Sequence, residues 1–186
     1  MTVKEPPIFS VIPFKKDKIA SITVKTGNFL SLKILEMEDG FAGAYQVDEA
    51  IPVAYRKTWK DGDQSPGINL LTIFRKKQSI DYETFIRRWH LGHTPLSLKI
   101  HPLWNYNRNL VKKRLTGSSE TWDGIVEEHF KSANDLLNPA RFFGGPLLMF
   151  YRMLQVYIDT RSFLDYRTIQ TYLAMEYHIK SILTKS

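Results

Sequence analysis

Three of the five histidines in this 186-residue chain, His90, His93 and His101, fall within twelve consecutive residues. They lie in Trp89-His90-Leu91-Gly92-His93-Thr94-Pro95-Leu96 and the His101-Pro102 pair that follows. Imidazole is the side chain that titrates nearest physiological pH, so such a group could move protons, ligate a metal or haem, or fill hydrogen-bonding niches in a core. A second constellation lies in WDGIVEEHF, where Glu127 and His129 alternate on one strand side and could pair a carboxylate with an imidazole. A third is aromatic. Trp104 and Tyr106 stand two residues apart in LWNYNRNLV and are expected to share a strand face, offering a stacking wall and a hydroxyl. Asn105, Asn107 and Asn109 fall on the opposite side, where solvent exposure is the simplest expectation. Arg56 and Trp59 precede a loop and are candidate substrate contacts, as are the upstream carboxylates Asp48 and Glu49. No helical H-E-x-x-H spacing is present, and no metal site is expected. The absence of cysteine excludes disulfides, thiolate-ligated zinc, Fe–S clusters and thiol catalysis.

These residues must be held by regular elements. Ile68–Phe74 (INLLTIF) is a continuous apolar run of strand length. Asp81 reads as the N-cap of a helix that places Phe85, Trp89 and His93 on one stripe and His90 beside it. Gly92 and Pro95 are expected to bend or restart that helix. Leu103–Val111 and Trp122–Phe130 alternate as strands, and Ser132 caps a short helix through Leu137. The apolar run Leu147–Ile158 is expected to hold the fourth strand, with Met175–Leu183 a C-terminal strand or helix. The order β-α-β-β-α-β predicts an α+β, ferredoxin-like unit. Upstream, Ile19–Val24 reads as a strand, Gly27-Asn28 as a turn and Phe29–Met37 as an apolar run. Phe41–Tyr55 reads as a strand in which Pro52 argues against a central position. The turn-forming loop Asp61–Gly67 divides a β-rich segment or reduced half-domain, residues 1–66, from the main domain, residues 67–186.

Apolar residues make up 43% of the chain, enough for a core, and no run is long and uncharged enough to span a bilayer. The N-terminus lacks an apolar signal core, so a cytoplasmic protein with no membrane partner is expected. The net charge of +7 comes from short, scattered basic groups without a nucleic-acid motif. They read as solvated faces, and nucleic acid is not the expected partner.

The stretch from IFRKKQSIDYETFIRRWHLGHTPLSLKIHPLWNYNRNLV to WDGIVEEHF resembles the EthD domain family of the dimeric α+β barrel superfamily. Phe85, Trp89, His93 and Pro95 meet its F-x-x-x-W-x-x-x-H-x-P helix. Tyr106, Arg108 and Asn109 meet its strand ending, and Asp123-Gly124 its aspartate-glycine strand. AYQVDEAIPVAYRKTWKDGDQSPG, with Arg56 and Trp59, is similar to the lead-in of a longer, two-half subgroup. The resemblance implies a ferredoxin-like unit that builds a barrel as a homodimer around a small-molecule cavity. It implies cofactor-free acid/base chemistry (isomerisation, dehydration or a related step) on an apolar cyclic or aromatic carbonyl compound. His93, His90 and Tyr106 would be the catalytic candidates. Phe85, Trp89, Trp104, His129, Glu127, Arg56 and Trp59 would contact substrate. A non-catalytic ligand-binding barrel and a haem protein ligated through His93 stay open as alternatives.

Overall fold

The branched and aromatic runs form strands, and their alternation sorts side chains to two faces of one antiparallel sheet. The computed structural model describes residues 8–15, 18–19, 22–24, 41–116 and 120–179. The strands are β1 (Ile8–Lys15), β2 (Lys18–Ile19), β3 (Ile22–Val24), β4 (Phe41–Val53), β5 (Ile68–Phe74), β6 (Asn105–Arg114), β7 (Gly124–Phe130) and β8 (Gln170–Ala174). From β5 onward the spatial order is β6-β7-β5-β8, every pair antiparallel, with helical segments between β5 and β6 and between β7 and β8. This is the split β-α-β arrangement of a ferredoxin-like α+β fold. β4 pairs with the outer edge of β6, and β1 with β4, so the sheet continues into the N-terminal segment.

β4 is flanked on both sides only as far as Val47; among the described residues its stretch through Pro52 pairs with β6 alone, as the proline requires. The register between β4 and β6 shifts between Ala50 and Val53, and proline's missing N–H falls within that irregularity. The turn expected at Gly27-Asn28, the Phe29–Met37 run and the Gly117-Ser118-Ser119 loop lie outside the described residues.

The first crossover is α1 (Tyr82–Ile86), a π-helical stretch Arg87–His93, and α2 (Thr94–Ile100). Asp81 Oδ1 accepts from the Thr84 amide at 2.6 Å. Asp81→Ala leaves that donor without its cap, and the Thr84 amide is expected to lose protection in hydrogen exchange. The helix restarts at Gly92-Pro95 as expected: the π-helical stretch ends at His93 and α2 begins at Thr94, with Pro95 in its first turn. The Thr94 N–H reaches back five residues to Trp89 O, and the widened turn carries proline's missing donor.

The second crossover is α3 (Ala133–Leu137), α4 (Pro139–Phe142) and α5 (Met149–Arg161). Here the expectation of a fourth strand in Leu147–Ile158 is corrected, because that run is helix α5. Its apolar residues recur at 150, 151, 154 and 158, a helical spacing, and few of them are β-branched. The fourth strand is the more polar Gln170–Ala174. Of the C-terminal strand or helix expected over Met175–Leu183, residues 175–179 form neither, Tyr177 making an isolated bridge to Gln64, and 180–183 lie outside the described residues.

Two cores result. Phe74, Tyr106, Leu110 and Val126 pack against Phe85, Trp89 and Phe163 on the helix side. Tyr45, Val47, Leu71, Ile73, Trp122 and Ile125 cluster on the opposite face.

Candidate functional site

The face away from the helices is apolar at one end and polar at the other. Strand pairing sets three transverse rows: Asn69-His129-Asn105, then Leu71-Glu127-Asn107, then Ile73-Ile125-Asn109-Glu49. The three asparagines of β6 therefore stand together on a covered face. Asn105 is 7% exposed and Asn109 fully buried, which corrects the expectation of solvent exposure. The segment after β4 lies over this end. The Ser65 amide bonds to Glu176 O and the Gly62 amide to His178 O, both at 2.8 Å, strapping the loop to the chain beyond β8.

Side chains from both segments close the cluster. The Tyr55 ring lies 5.0 Å from Trp59 and 5.0 Å from Trp104, with His129 edge-on at 5.6 Å. The Tyr55 hydroxyl donates to Glu176 Oε2 at 2.6 Å and lies against His178 Nε2. Burial and the Glu176 carboxylate push that phenol well above its ordinary range, so it stays protonated. His129 Nε2–H donates to Pro66 O at 2.9 Å, and its Nδ1 is 3.5 Å from Glu176. A one-way amide chain crosses the floor. Tyr55 N–H donates to Asn105, Asn105 Nδ2 to Asn107 at 3.0 Å, and Asn107 Nδ2 to Glu127 Oε2 at 3.1 Å.

The half-buried Glu127 carboxyl is pushed up to about 7 by burial, with Glu176 and Glu49 adding repulsion and the Asn107 amide offsetting part of it. On the same sheet face Asn69 Oδ1 and both amide atoms of Asn109, and in the aromatic wall Trp59 Nε1, are buried without a hydrogen-bond partner. Buried polar atoms are almost always paired, with protein, ordered water or a ligand, so these atoms are open to a polar guest. His129, Glu176 and His178 do not converge as a metal-ligating group, and no such group occurs among the described residues.

The helix-side histidines occupy a separate environment. His93 Nδ1–H donates to Asp159 Oδ2 at 2.7 Å, and Ser97 Oγ–H donates to His93 Nε2 at 3.0 Å. The order Ser97-His93-Asp159 has the polarity of a nucleophile triad, but Ser97 is fully buried and cannot meet a substrate. Neither ring nitrogen of His93 is free to ligate an iron, so these residues do not fit a His93-bound haem. Asp159 also lines a groove of about 490 Å³ with Leu96, Leu154 and Ile158. Glu128, near His93, is pushed up to about 7 by burial. His90 and His101 are held neutral, each near 4, chiefly by burial. Tyr106 is 1% exposed, and burial raises its phenol.

The sequence candidates thus divide between two faces of the sheet. His93, His90, Tyr106, Phe85 and Trp89 stand on the helix side, where Phe85, Trp89 and Tyr106 are core packing. Trp59, Trp104, Glu127 and His129 meet on the other. The expected pairing of Trp104 with Tyr106 is corrected. β6 begins at Asn105, the Trp104 amide bonds to His129 O, and its ring joins Tyr55 and Trp59. Glu127 and His129 share a strand face as expected, and the sheet separates them from His93. Arg56 is exposed beside Tyr55. Tyr55, Asn69, Glu176 and His178 were not among the candidates. The period-two spacing of Glu176 and His178 in MEYHI was the available signal.

No family model matches the chain, and no curated protein matches it. Among solved structures, it is similar to a dimeric protein of unknown function with a ferredoxin-like fold from Bacteroides fragilis. The two share 11% identity over 61% of this chain and 100% of that one, with a TM-score of 0.41. Among the described residues no helix is long and apolar enough to cross a membrane.

Proposed function

We propose that the protein binds a small cyclic carbonyl compound at the Tyr55-Trp59-Trp104 wall and moves a proton on it, with Glu127 as the acid/base group. The observation that carries this reading is the coincidence, on one side of the sheet, of a carboxyl balanced near 7 with unpaired buried amide and indole atoms. A general acid/base works best when its pKa lies near the operating pH. The ring of the ligand would stack on the aromatic wall. Its oxygens would pair with the Trp59 indole N–H and the Asn109 amide N–H, which favours a carbonyl or enolate oxygen over a purely apolar ligand. Entry requires the segment carrying Trp59 to lift. The EthD-like pattern of the sequence accords with such chemistry, but here the proton-moving group is Glu127 and not His93.

The test is deuterium exchange at the carbon next to the carbonyl, followed by NMR over a panel of cyclic ketones and enols. Glu127→Gln is expected to lose exchange by roughly 10²–10⁴-fold while retaining binding, measured by tryptophan fluorescence. Asn109→Leu is expected to lose binding. Exchange that survives in Glu127→Gln but disappears in His93→Asn would move the site to the groove beside Asp159. Binding without exchange in the unaltered protein would leave a sequestering module.

A further inference from the structure

Helix α5 is a crossover helix that does not cover the sheet. It packs on the π-helical stretch and α2, and none of its residues joins the helix-side core that Phe85 and Trp89 build on the sheet. A helix joining two strands of one sheet ordinarily packs back onto that sheet. Among the described residues, both surfaces that such packing would hide are therefore bare. On α5, the residues Phe150, Tyr151, Met153, Leu154, Tyr157 and Ile158 lie on one side of the helix, and each is 42–70% exposed. On the sheet, the chain through and beyond β8 turns alternate residues to the helix side. Leu173, Met175, Tyr177 and Ile179 are 50–80% exposed there, while Glu176 and His178 between them face the polar cluster. The neighbouring helix-side residues of β5, Ile68 and Leu70, are only half-buried, whereas Leu71 and Ile73 on the other face are buried.

We infer that two copies of this chain associate by exchange, the apolar side of α5 in each covering the bare β5–β8 strip of the other. A surplus helix face and a missing helix on the same molecule are two halves of one packing relation. A second identical chain related by a two-fold axis satisfies both at once. Ten large side chains, at roughly 100 Å² each, are on the order of the ~800 Å² per partner buried in stable interfaces. This contact is on the helix side, and it stands independently of the acid/base reading of the opposite face.

The experiment is sedimentation velocity on the full chain. The unaltered protein is expected at the mass of two 21.7 kDa chains. Leu154→Glu with Ile158→Glu, and separately Leu173→Glu with Met175→Glu, are each expected to raise the dissociation constant at least 100-fold with unchanged far-UV circular dichroism. Because the chain contains no cysteine, a second measurement does not depend on the folding of charged variants. Chains carrying Leu154→Cys mixed with chains carrying Leu173→Cys are expected to form a disulfide dimer faster than either forms alone. A monomeric unaltered protein, a dimer that survives the strip substitutions, flotation of the monomer with anionic vesicles, or faster Leu154→Cys self-pairing would each overturn the exchange.

Discussion

Glu127→Gln is expected to stabilise the protein above pH 7 while removing its chemistry. The carboxyl's folded-state pKa stands near 7, against an ordinary value of 4.5. Between those values the native state holds a proton that the unfolded chain has released. Stability is therefore greatest below about pH 4.5, falls as pH rises, and has lost its full increment once pH passes 7. For a half-buried group the increment is on the order of 2–3 kcal/mol. Glutamine keeps the shape and a neutral charge, so the variant should exceed the parent by about 2 kcal/mol at pH 8 and match it near pH 4.5. Urea unfolding at the two pH values measures this. Equal stability of the parent at both would mean that the carboxyl is solvated and that the proposed acid/base role fails with it. Glu128, also near 7 but on the helix side, should contribute a second and nearly additive increment. A site that keeps an uncomfortable carboxyl at a cost in stability accords with the usual trade between activity and stability.

Gly124→Val is expected to be the most damaging single substitution on the helix side. A Cβ at this position would stand 2.4 Å from Phe74 Cζ and 2.7 Å from Trp89 Cη2. Both rings are at most 2% exposed and lie edge to face, centroids 5.0 Å apart, so neither can withdraw without displacing the other. Gly124→Ala should cost about 3 kcal/mol and Gly124→Val more, beyond the usual range for overpacking because the obstacles are rigid rings. Phe74→Leu introduced beside Gly124→Ala should recover part of the loss, since it opens the space the new methyl needs. Chemical denaturation of the three variants measures the effect. A loss below about 1 kcal/mol for Gly124→Val would show that the rings move freely.

Asp123-Gly124 and the Phe85-Trp89 stripe are separate motifs in the sequence that the fold brings together. A helix stripe with two aromatics needs a flat place on the sheet, and the glycine of β7 provides it beneath the Trp89 ring. Asp123 anchors the approach by accepting from the Lys76 amide at 2.8 Å. The cap at Asp81, the strands β5, β6 and β7 and the β-α-β-β-α-β order were legible, since each depends on residues close in sequence and on a period of two or 3.6. Leu147–Ile158 has the apolar content of a buried strand but the spacing of a helix, and the spacing prevails.

The candidate site was legible only in pieces. Glu127 and His129 were readable as a strand-face pair, because alternation along β7 requires no knowledge of the fold. Their true neighbours come from four separate places: Tyr55 and Trp59 after β4, the asparagines of β6, Asn69 of β5, and Glu176 with His178 beyond β8. His93 matched a helix pattern and was a natural choice, yet its partner Asp159 is 66 residues away, on a helix whose orientation no local pattern encodes. Local sequence determined which elements form and which side chains alternate together, because those are short-range consequences of backbone geometry. Only the tertiary structure decided that His90 and His93 lie on the opposite side of the sheet from Glu127 and that α5 stands off it. Those outcomes follow from strand order and packing, in which residues distant along the chain compete for the same surface.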